Sequence, residues 1–458
     1  MRKRKRLSGI LAGFICLFPF SHIPVYAEAY WPSGPEVEAE AAVVMEASTG
    51  TILYEKNPHE QLYPASITKI MTTLLAVENC ELDEEVTFSY ESVHNIDRES
   101  THISRDVGEI MTMDQCLYAV MLGSANDCAY AVAEHVGKGY ENFIAMMNDK
   151  ASQLGCKDTH FNNPHGLTDE QHYTSAYDMA LISQAALRND TFRVITGTKR
   201  YTIPITNKHP NEETPMVNHH KMLTNYQGDT AYLYEDCIGG KTGYTDLARR
   251  TLVTFAERDN MTLICVVMKE NSNVDYIDTA QLLDYCFDNF TMWNISENES
   301  QYKIAGTANT EIFAASKSFV DLDRESQIVL PKTAVFEDAS FEVIENENED
   351  EVVVLQYKYG DRMVGSARIA ATNAQVEMYD FHNNLPEKKT KRAPLKINTK
   401  YIAVGIAAFI GAAIIGMILY YLLSNFYIIR HKLKSKRKEK NRFKVIKSGK
   451  HSKWKMRW

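Results

Sequence analysis

The sequence predicts an α/β protein of the α+β kind: an antiparallel sheet flanked by helices, then a small all-β segment and one C-terminal transmembrane helix. Three observations carry this. Between residues 38 and 290, apolar runs at helical spacing are interspersed with short strand-like runs. From 294 to 384 only short strand-like runs remain. The stretch Tyr401–Leu423 then carries no charge and exceeds the roughly 20 residues needed to span a bilayer.

The ends of the 458-residue chain set its expected topology. Arg2-Lys3-Arg4-Lys5-Arg6 precedes an apolar run from Ile10 to Phe20 and the small residues around Ala27. This is the pattern of a secretory signal peptide over residues 1–27. Beyond Arg430 the charges are Lys and Arg apart from Glu439, which marks the cytoplasmic side. The expectation is a single-pass cell-membrane protein. Its body lies outside, residues 386–400 form a linker, 401–423 span the membrane and 430–458 form a basic cytoplasmic tail. Net charge is −9 in spite of both basic ends, so the body is strongly acidic. Such a body is not built to bind nucleic acid. Removing Cys16 with the signal leaves seven scattered cysteines, Cys80, Cys116, Cys128, Cys156, Cys237, Cys265 and Cys286. Their spacing indicates neither a zinc site nor a disulfide framework, and an odd number leaves a free thiol or an intermolecular bond. Cys116 and Cys265 stand in apolar runs and are expected in the core.

Within the body, Ala41–Met45 and Thr51–Tyr54 read as a hairpin turning at Ser48-Thr49-Gly50. A helix is expected from Ser66, with apolar residues at 67, 70, 71, 74 and 75 and Pro64 at its entrance. Glu85–Phe88 is strand-like. Thr112 and Gln115 suit a capping box on a helix that ends at Gly123. Ser124 and Asn126 fall in the loop before a further helix, Ala129–Val136. His165 lies in a turn-forming Asn-Pro-His-Gly segment and is expected to be structural. His219-His220 has no ligand partners at metal spacing. Ile238-Gly239-Gly240-Lys241-Thr242-Gly243-Tyr244 precedes a second hairpin, residues 251–255 and 261–268, and a closing helix near Ile277–Phe287.

Ser66 and Lys69 are three apart, on one side of a helix beside its buried stripe. A partly desolvated lysine favours its neutral form, and a neutral amine beside a hydroxyl can take its proton. Ser66-x-x-Lys69, Ser124-x-Asn126 and Lys241-Thr242-Gly243 thus stand in order along the chain. Singly each is weak. As an ordered set they resemble the trio of penicillin-binding proteins and serine β-lactamases. Asn163–Leu167 and Thr174–Met179 make the chain similar to the D-alanyl-D-alanine carboxypeptidases in particular. The resemblance covers about residues 38 to 290 and implies a β-lactamase-like fold.

The resemblance implies that Ser66 attacks the bond between two D-alanines of a peptidoglycan stem peptide and that Lys69 takes its proton. Ser124 passes a proton to the leaving amine, and Asn126 binds the substrate amide. Lys241 and Thr242 face the terminal carboxylate from an edge strand. The backbone N–H groups of Ser66 and Tyr244 form the oxyanion hole, and Gly243 belongs with Thr242 and Tyr244 to the substrate-binding strand. It also implies covalent inhibition by β-lactams, with no metal or cofactor. The family often carries an arginine before the closing helix. Here that region, Asn271–Tyr276, has none, and Arg249-Arg250 are either its replacement or exposed charges. Two alternatives share the fold. A class A β-lactamase would need a Glu-x-x-Leu-Asn segment, which is absent. A catalytically silent cell-wall scaffold would have no need of an intact trio.

Overall fold

The computed structural model describes residues 30–271, 274–299, 320–345 and 352–371. The signal segment 1–27, linker 386–400, span 401–423 and tail 430–458 lie outside the described residues. Among the described residues no helix is long and apolar enough to cross a membrane.

The central sheet has five strands: β1 (Ala41–Glu46), β2 (Ile52–Lys56), β7 (Cys237–Thr245), β8 (Arg249–Arg258) and β9 (Met261–Glu270). Their order is β2-β1-β9-β8-β7, antiparallel throughout, so β7 is an edge. Alternate residues serve opposite faces. Val43, Met45, Val253, Phe255, Ile264 and Val266 face one core, and Val44, Leu252, Ala256, Cys265 and Val267 face the other. Both faces being covered explains why β9 reads as one continuous apolar run.

The first core lies under most of the helices. These are α1 (Lys69–Asn79), α2 (Tyr90–His94), α3 (Met113–Leu122), α4 (Asn126–Gly137), α5 (Tyr140–Gln153), α6 (Ala176–Leu187) and α7 (Asp190–Gly197). Two small ladders lie among them, β3 (Glu85–Thr87) with β4 (Ile110–Thr112) and β5 (Arg200–Ile203) with β6 (Thr214–Val217). The expected capping box at Thr112 and Gln115 is present in full. The second core is closed by α8 (Val274–Asn289) through Tyr276, Leu282, Leu283 and Cys286.

A second sheet follows: β10 (Phe290–Asn294), β11 (Val320–Leu322), β12 (Gln327–Pro331), β13 (Ser340–Glu345), β14 (Val352–Tyr359) and β15 (Arg362–Ala371). It runs β10-β12-β15-β14-β13, with β11 also on β15. Its first strand begins at Phe290, directly after α8. Trp31 joins the two sheets: its indole donates to the Leu53 carbonyl at 3.3 Å and its ring packs 4.9 Å from Phe290.

Two expectations change in detail. Ser66 lies in a 3₁₀ turn, Ala65–Thr68, and the α-helix starts only at Lys69. Asn126 is the first residue of α4 and not a loop residue, so that helix starts one turn earlier than Ala129. Its backbone N–H donates to the Thr101 carbonyl at 2.9 Å, which supplies a partner that the helix start itself lacks.

Candidate active site

Four segments converge beside the edge strand β7. The 3₁₀ turn explains the central contact. Side chains three apart eclipse in a 3₁₀ turn, whereas in an α-helix they are offset. Ser66 Oγ and Lys69 Nζ accordingly lie 3.1 Å apart. Ala65, just before, adopts a left-handed φ of 50°, which costs a non-glycine residue on the order of 1 kcal/mol.

Lys69 is fully buried. Its ammonium group reaches two further acceptors, Asn126 Oδ1 and the His165 carbonyl, each at 2.6 Å. Asn126 is oriented by its other end, where Nδ2 donates to Ser100 Oγ at 2.8 Å. Two acceptors thus take two N–H bonds. The third tetrahedral position faces Ser66, and holds either the last ammonium proton or the lone pair of a neutral amine. Burial first, then the charge of Lys241, pushes the Lys69 pKa well below the ordinary lysine value. Asp127 and Cys128 pull more weakly the other way.

Lys241 projects from β7 and is also fully buried. Its Nζ lies 3.1 Å from Ser124 Oγ and 2.8 Å from the Thr242 carbonyl. Desolvation pushes its pKa down to about 7. Ser124, between α3 and α4, is held in a left-handed conformation with φ 57°. Among non-glycine residues this is uncommon, and here it sits at the site itself.

Asn163–Leu167 packs against the Ser66 turn. Asn163 Oδ1 accepts from His165 N at 3.3 Å and Gly166 N at 2.7 Å, and this closes the turn that delivers the His165 carbonyl to Lys69. Gly166 has φ +87°, and a Cβ there would overlap the Ala65 carbonyl. Gly243 is equally confined: its Cβ would stand 2.8 Å from Ser66 N. The backbone N–H of the serine therefore lies directly against β7 at the Lys-Thr-Gly stretch.

The structure therefore brings Ser66, Lys69, Ser124, Asn126, Lys241 and Gly243 together. Thr242 is half-buried on the same strand. Tyr244 is exposed, and its hydroxyl turns to Asp246 at 3.1 Å, so only its backbone stays with the site. Sequence reasoning missed the His165 carbonyl, because a backbone contact has no side-chain signature. It also missed Ser100, and it named Asn163 only within a family-like segment, without a role. His165 is structural as expected, with a buried ring whose Nδ1 accepts from Leu167 N at 3.3 Å. His220 is buried under the sheet, 3.1 Å from Thr254 Oγ1. Burial and Lys241 together push the His219 pKa down to about 4.

Arg249 and Arg250 separate cleanly. Arg249 is exposed. Arg250 is half-buried opposite Tyr244 in the β7–β8 ladder, and its Nε is buried without a hydrogen-bond partner.

Known proteins share this arrangement of chain. The D-alanyl-D-alanine carboxypeptidase DacF of Bacillus subtilis is 33% identical over 64% of this chain and 72% of its own. The D-alanyl-D-alanine carboxypeptidase of Streptomyces sp. strain K15 is 32% identical over 55% and 88%. Among solved structures, the Streptomyces K15 DD-transpeptidase superposes with a TM-score of 0.52 at 30% identity, covering 56% of this chain and all of that one. Residues 28–272, which include every residue of the cluster, match the peptidase family described as D-alanyl-D-alanine carboxypeptidase, and the chain belongs to that family.

Proposed function

We propose that this chain removes the terminal D-alanine from peptidoglycan stem pentapeptides through an acyl-enzyme on Ser66, and that penicillin traps the same serine. The observation that carries this is the Lys69 amine, with two fixed acceptors and its third direction on Ser66 Oγ. In the neutral form it takes the serine proton as Oγ attacks the carbonyl carbon. The negative charge on the carbonyl oxygen meets the N–H groups of Ser66 and Tyr244, worth on the order of 3 kcal/mol per donor. Ser124, held by Lys241, returns a proton to the leaving D-alanine. Water then releases the shortened peptide.

The substrate backbone adds to the edge strand β7, the usual way a peptide joins a sheet, beyond Gly240, whose N–H and carbonyl are already bonded to Thr196 Oγ1 at 3.0 and 3.1 Å. Asn126 binds its amide. Its terminal carboxylate meets Lys241 and Thr242, and we read Arg250, half-buried opposite Tyr244 on the neighbouring strand, as the family arginine's replacement. The catalytic body is placed outside the cell membrane, exported by residues 1–27 and anchored by 401–423. We read the second sheet, which starts at Phe290, as the described part of the small β-rich domain. The charge pattern of the sequence supports this topology.

The test is D-alanine release from a muramyl pentapeptide by wild type, Lys69→Arg and Lys69→Met. Arginine keeps positive charge but gives up no proton near neutral pH. Both variants are expected to lose about 100-fold or more in acylation. Near-wild-type acylation by Lys69→Arg would remove the general-base role.

A further inference from the structure

Far from the active site, three side chains of different donor type converge. Cys80 caps the C-terminal end of α1, Glu84 lies in the turn before β3, and His135 stands in the last turn of α4. The Cys80 sulfur, a Glu84 oxygen and a His135 ring nitrogen all lie within 4.8 Å of one another. His135 Nε2 is already 2.8 Å from Glu84 Oε2. The remaining oxygen of Glu84, Oε1, accepts from the Glu81 backbone N–H at 2.8 Å, the kind of outer contact that orients a ligating carboxylate. All three residues are part-exposed, so an ion and a water molecule can reach them. Glu81 and Asp83 line the adjoining open concavity and make it attractive to cations, whereas Glu78 beside them is already paired with Lys150 at 2.6 Å.

We propose that Cys80, Glu84 and His135 form a zinc site. Sulfur, nitrogen and carboxylate oxygen together are the ligand set of zinc, whereas calcium and magnesium take oxygen alone. Donors at zinc bond lengths of about 2.0–2.3 Å around a tetrahedron are roughly 3.3–3.8 Å apart. Reaching that geometry takes about an ångström of side-chain movement: the His135–Glu84 pair opens from 2.8 Å, and the sulfur, within 4.8 Å of both, moves in. Three protein ligands leave the fourth position to water. The thiolate and the carboxylate offset the charge of the ion. On binding, the Cys80 S–H bond breaks, sulfur keeps the electron pair and bonds the metal, and the proton leaves to solvent. Without a metal, burial and the Glu84 charge hold the Cys80 thiol up at about 11, and a bound cation reverses that balance.

The second acidic group with a histidine, Asp106, Glu109 and His209, lacks this character. Arg105 already occupies Glu109 at 3.0 Å, and no sulfur is present.

The position gives the site a role. α1 starts at Lys69 and α4 at Asn126, and these two residues meet at 2.6 Å. Cys80 and His135 stand at the far ends of the same two helices. Zinc there clips together the pair of helices that aligns the catalytic lysine.

Cobalt(II) is the probe, titrated into untagged full-length protein in detergent with its thiols reduced. The proposal expects one equivalent bound, with a near-ultraviolet thiolate-to-cobalt charge-transfer band that zinc bleaches. Cys80→Ser abolishes the band, and Cys156→Ser, at the other half-exposed thiol among the described residues, keeps it. His135→Ala and Glu84→Gln each weaken cobalt binding by more than about 100-fold, beyond the loss of an outer-shell partner. Zinc raises the melting temperature of wild type and not of Cys80→Ser, each checked for fold by circular dichroism. Absence of the band in wild type with titratable thiols overturns the site. So does a band that survives Cys80→Ser, or unchanged affinity in both His135→Ala and Glu84→Gln, the two variants that decide the matter should Cys80→Ser not fold.

Discussion

Asn126→Asp isolates the charge state of Lys69 without changing the shape of the site. The substitution swaps an amide for an isosteric carboxylate 2.6 Å from Nζ. At an effective dielectric of 20, a unit charge pair at that distance is worth roughly 6 kcal/mol in favour of the ammonium form. Burying the new carboxylate takes back part of this. Retention of about half still shifts the balance by roughly 3 kcal/mol, or two decades in the neutral fraction at pH 7. Ser100 can turn its hydroxyl to donate to the second oxygen, so packing is kept. The assay is the second-order rate of penicillin acylation from pH 6 to 10. The expected result is a fall of about 100-fold at pH 7, partly recovered as pH rises, because the acidic limb of the profile moves up. Asn126→Ala removes an anchor and adds no charge, so its profile keeps the wild-type midpoint at a lower rate. An Asn126→Asp protein with the wild-type midpoint would refute the claim that a neutral Lys69 is the base.

Three further outcomes follow from single contacts. Gly166→Ala forces a side chain into a left-handed φ against the Ala65 carbonyl, and is expected to lose about 1–3 kcal/mol in urea unfolding together with most acylation. Lys241 has a folded pKa of about 7, below its unfolded value, so between those two values the unfolded chain binds more protons and stability rises with pH. Relative to Lys241→Met, the wild type should therefore gain on the order of 4 kcal/mol from pH 7 to pH 10, and a flat difference would show that Lys241 is not desolvated. Arg250→Leu should raise KM for a D-Ala-D-Ala peptide about 10-fold or more and leave acylation by a carboxylate-free thioester unchanged, since a charge-assisted hydrogen bond is worth about 1.5–3 kcal/mol. Equal losses on both substrates would make Arg250 structural.

Side-chain chemistry was legible in the sequence where spacing carries it. Ser66 and Lys69 are local in sequence, and their contact needed only a helical turn. Strands β1, β8 and β9 read well because they are apolar on both faces, and short hairpins join β1 to β2 and β8 to β9. The 3₁₀ geometry at Ala65–Thr68 was not legible, since an apolar stripe from Ile67 onward fits an α-helix just as well. Tertiary contacts hold the turn and the residue before it: Thr68 Oγ1 lies 2.9 Å from His172 Nε2, and Thr251 Oγ1 donates to the Pro64 carbonyl at 2.8 Å. The start of α4 was misplaced for a similar reason. Ala125, its cap residue, makes no side-chain capping bond, and Asp127 instead ties the helix to the backbone N–H groups of Ile103 and Arg105. The Cys80 cluster was invisible because His135 stands 51 residues from Glu84, and Cys80-x-x-x-Glu84 alone matches no metal motif.

The central claim is that Ser66 is the acylated nucleophile. Full-length protein treated with penicillin, digested and analysed by mass spectrometry tests it most directly. The predicted result is one penicilloyl adduct, on the peptide containing Ser66, and none on a folded Ser66→Ala variant. An adduct on any other residue, or labelling that survives Ser66→Ala, would contradict it.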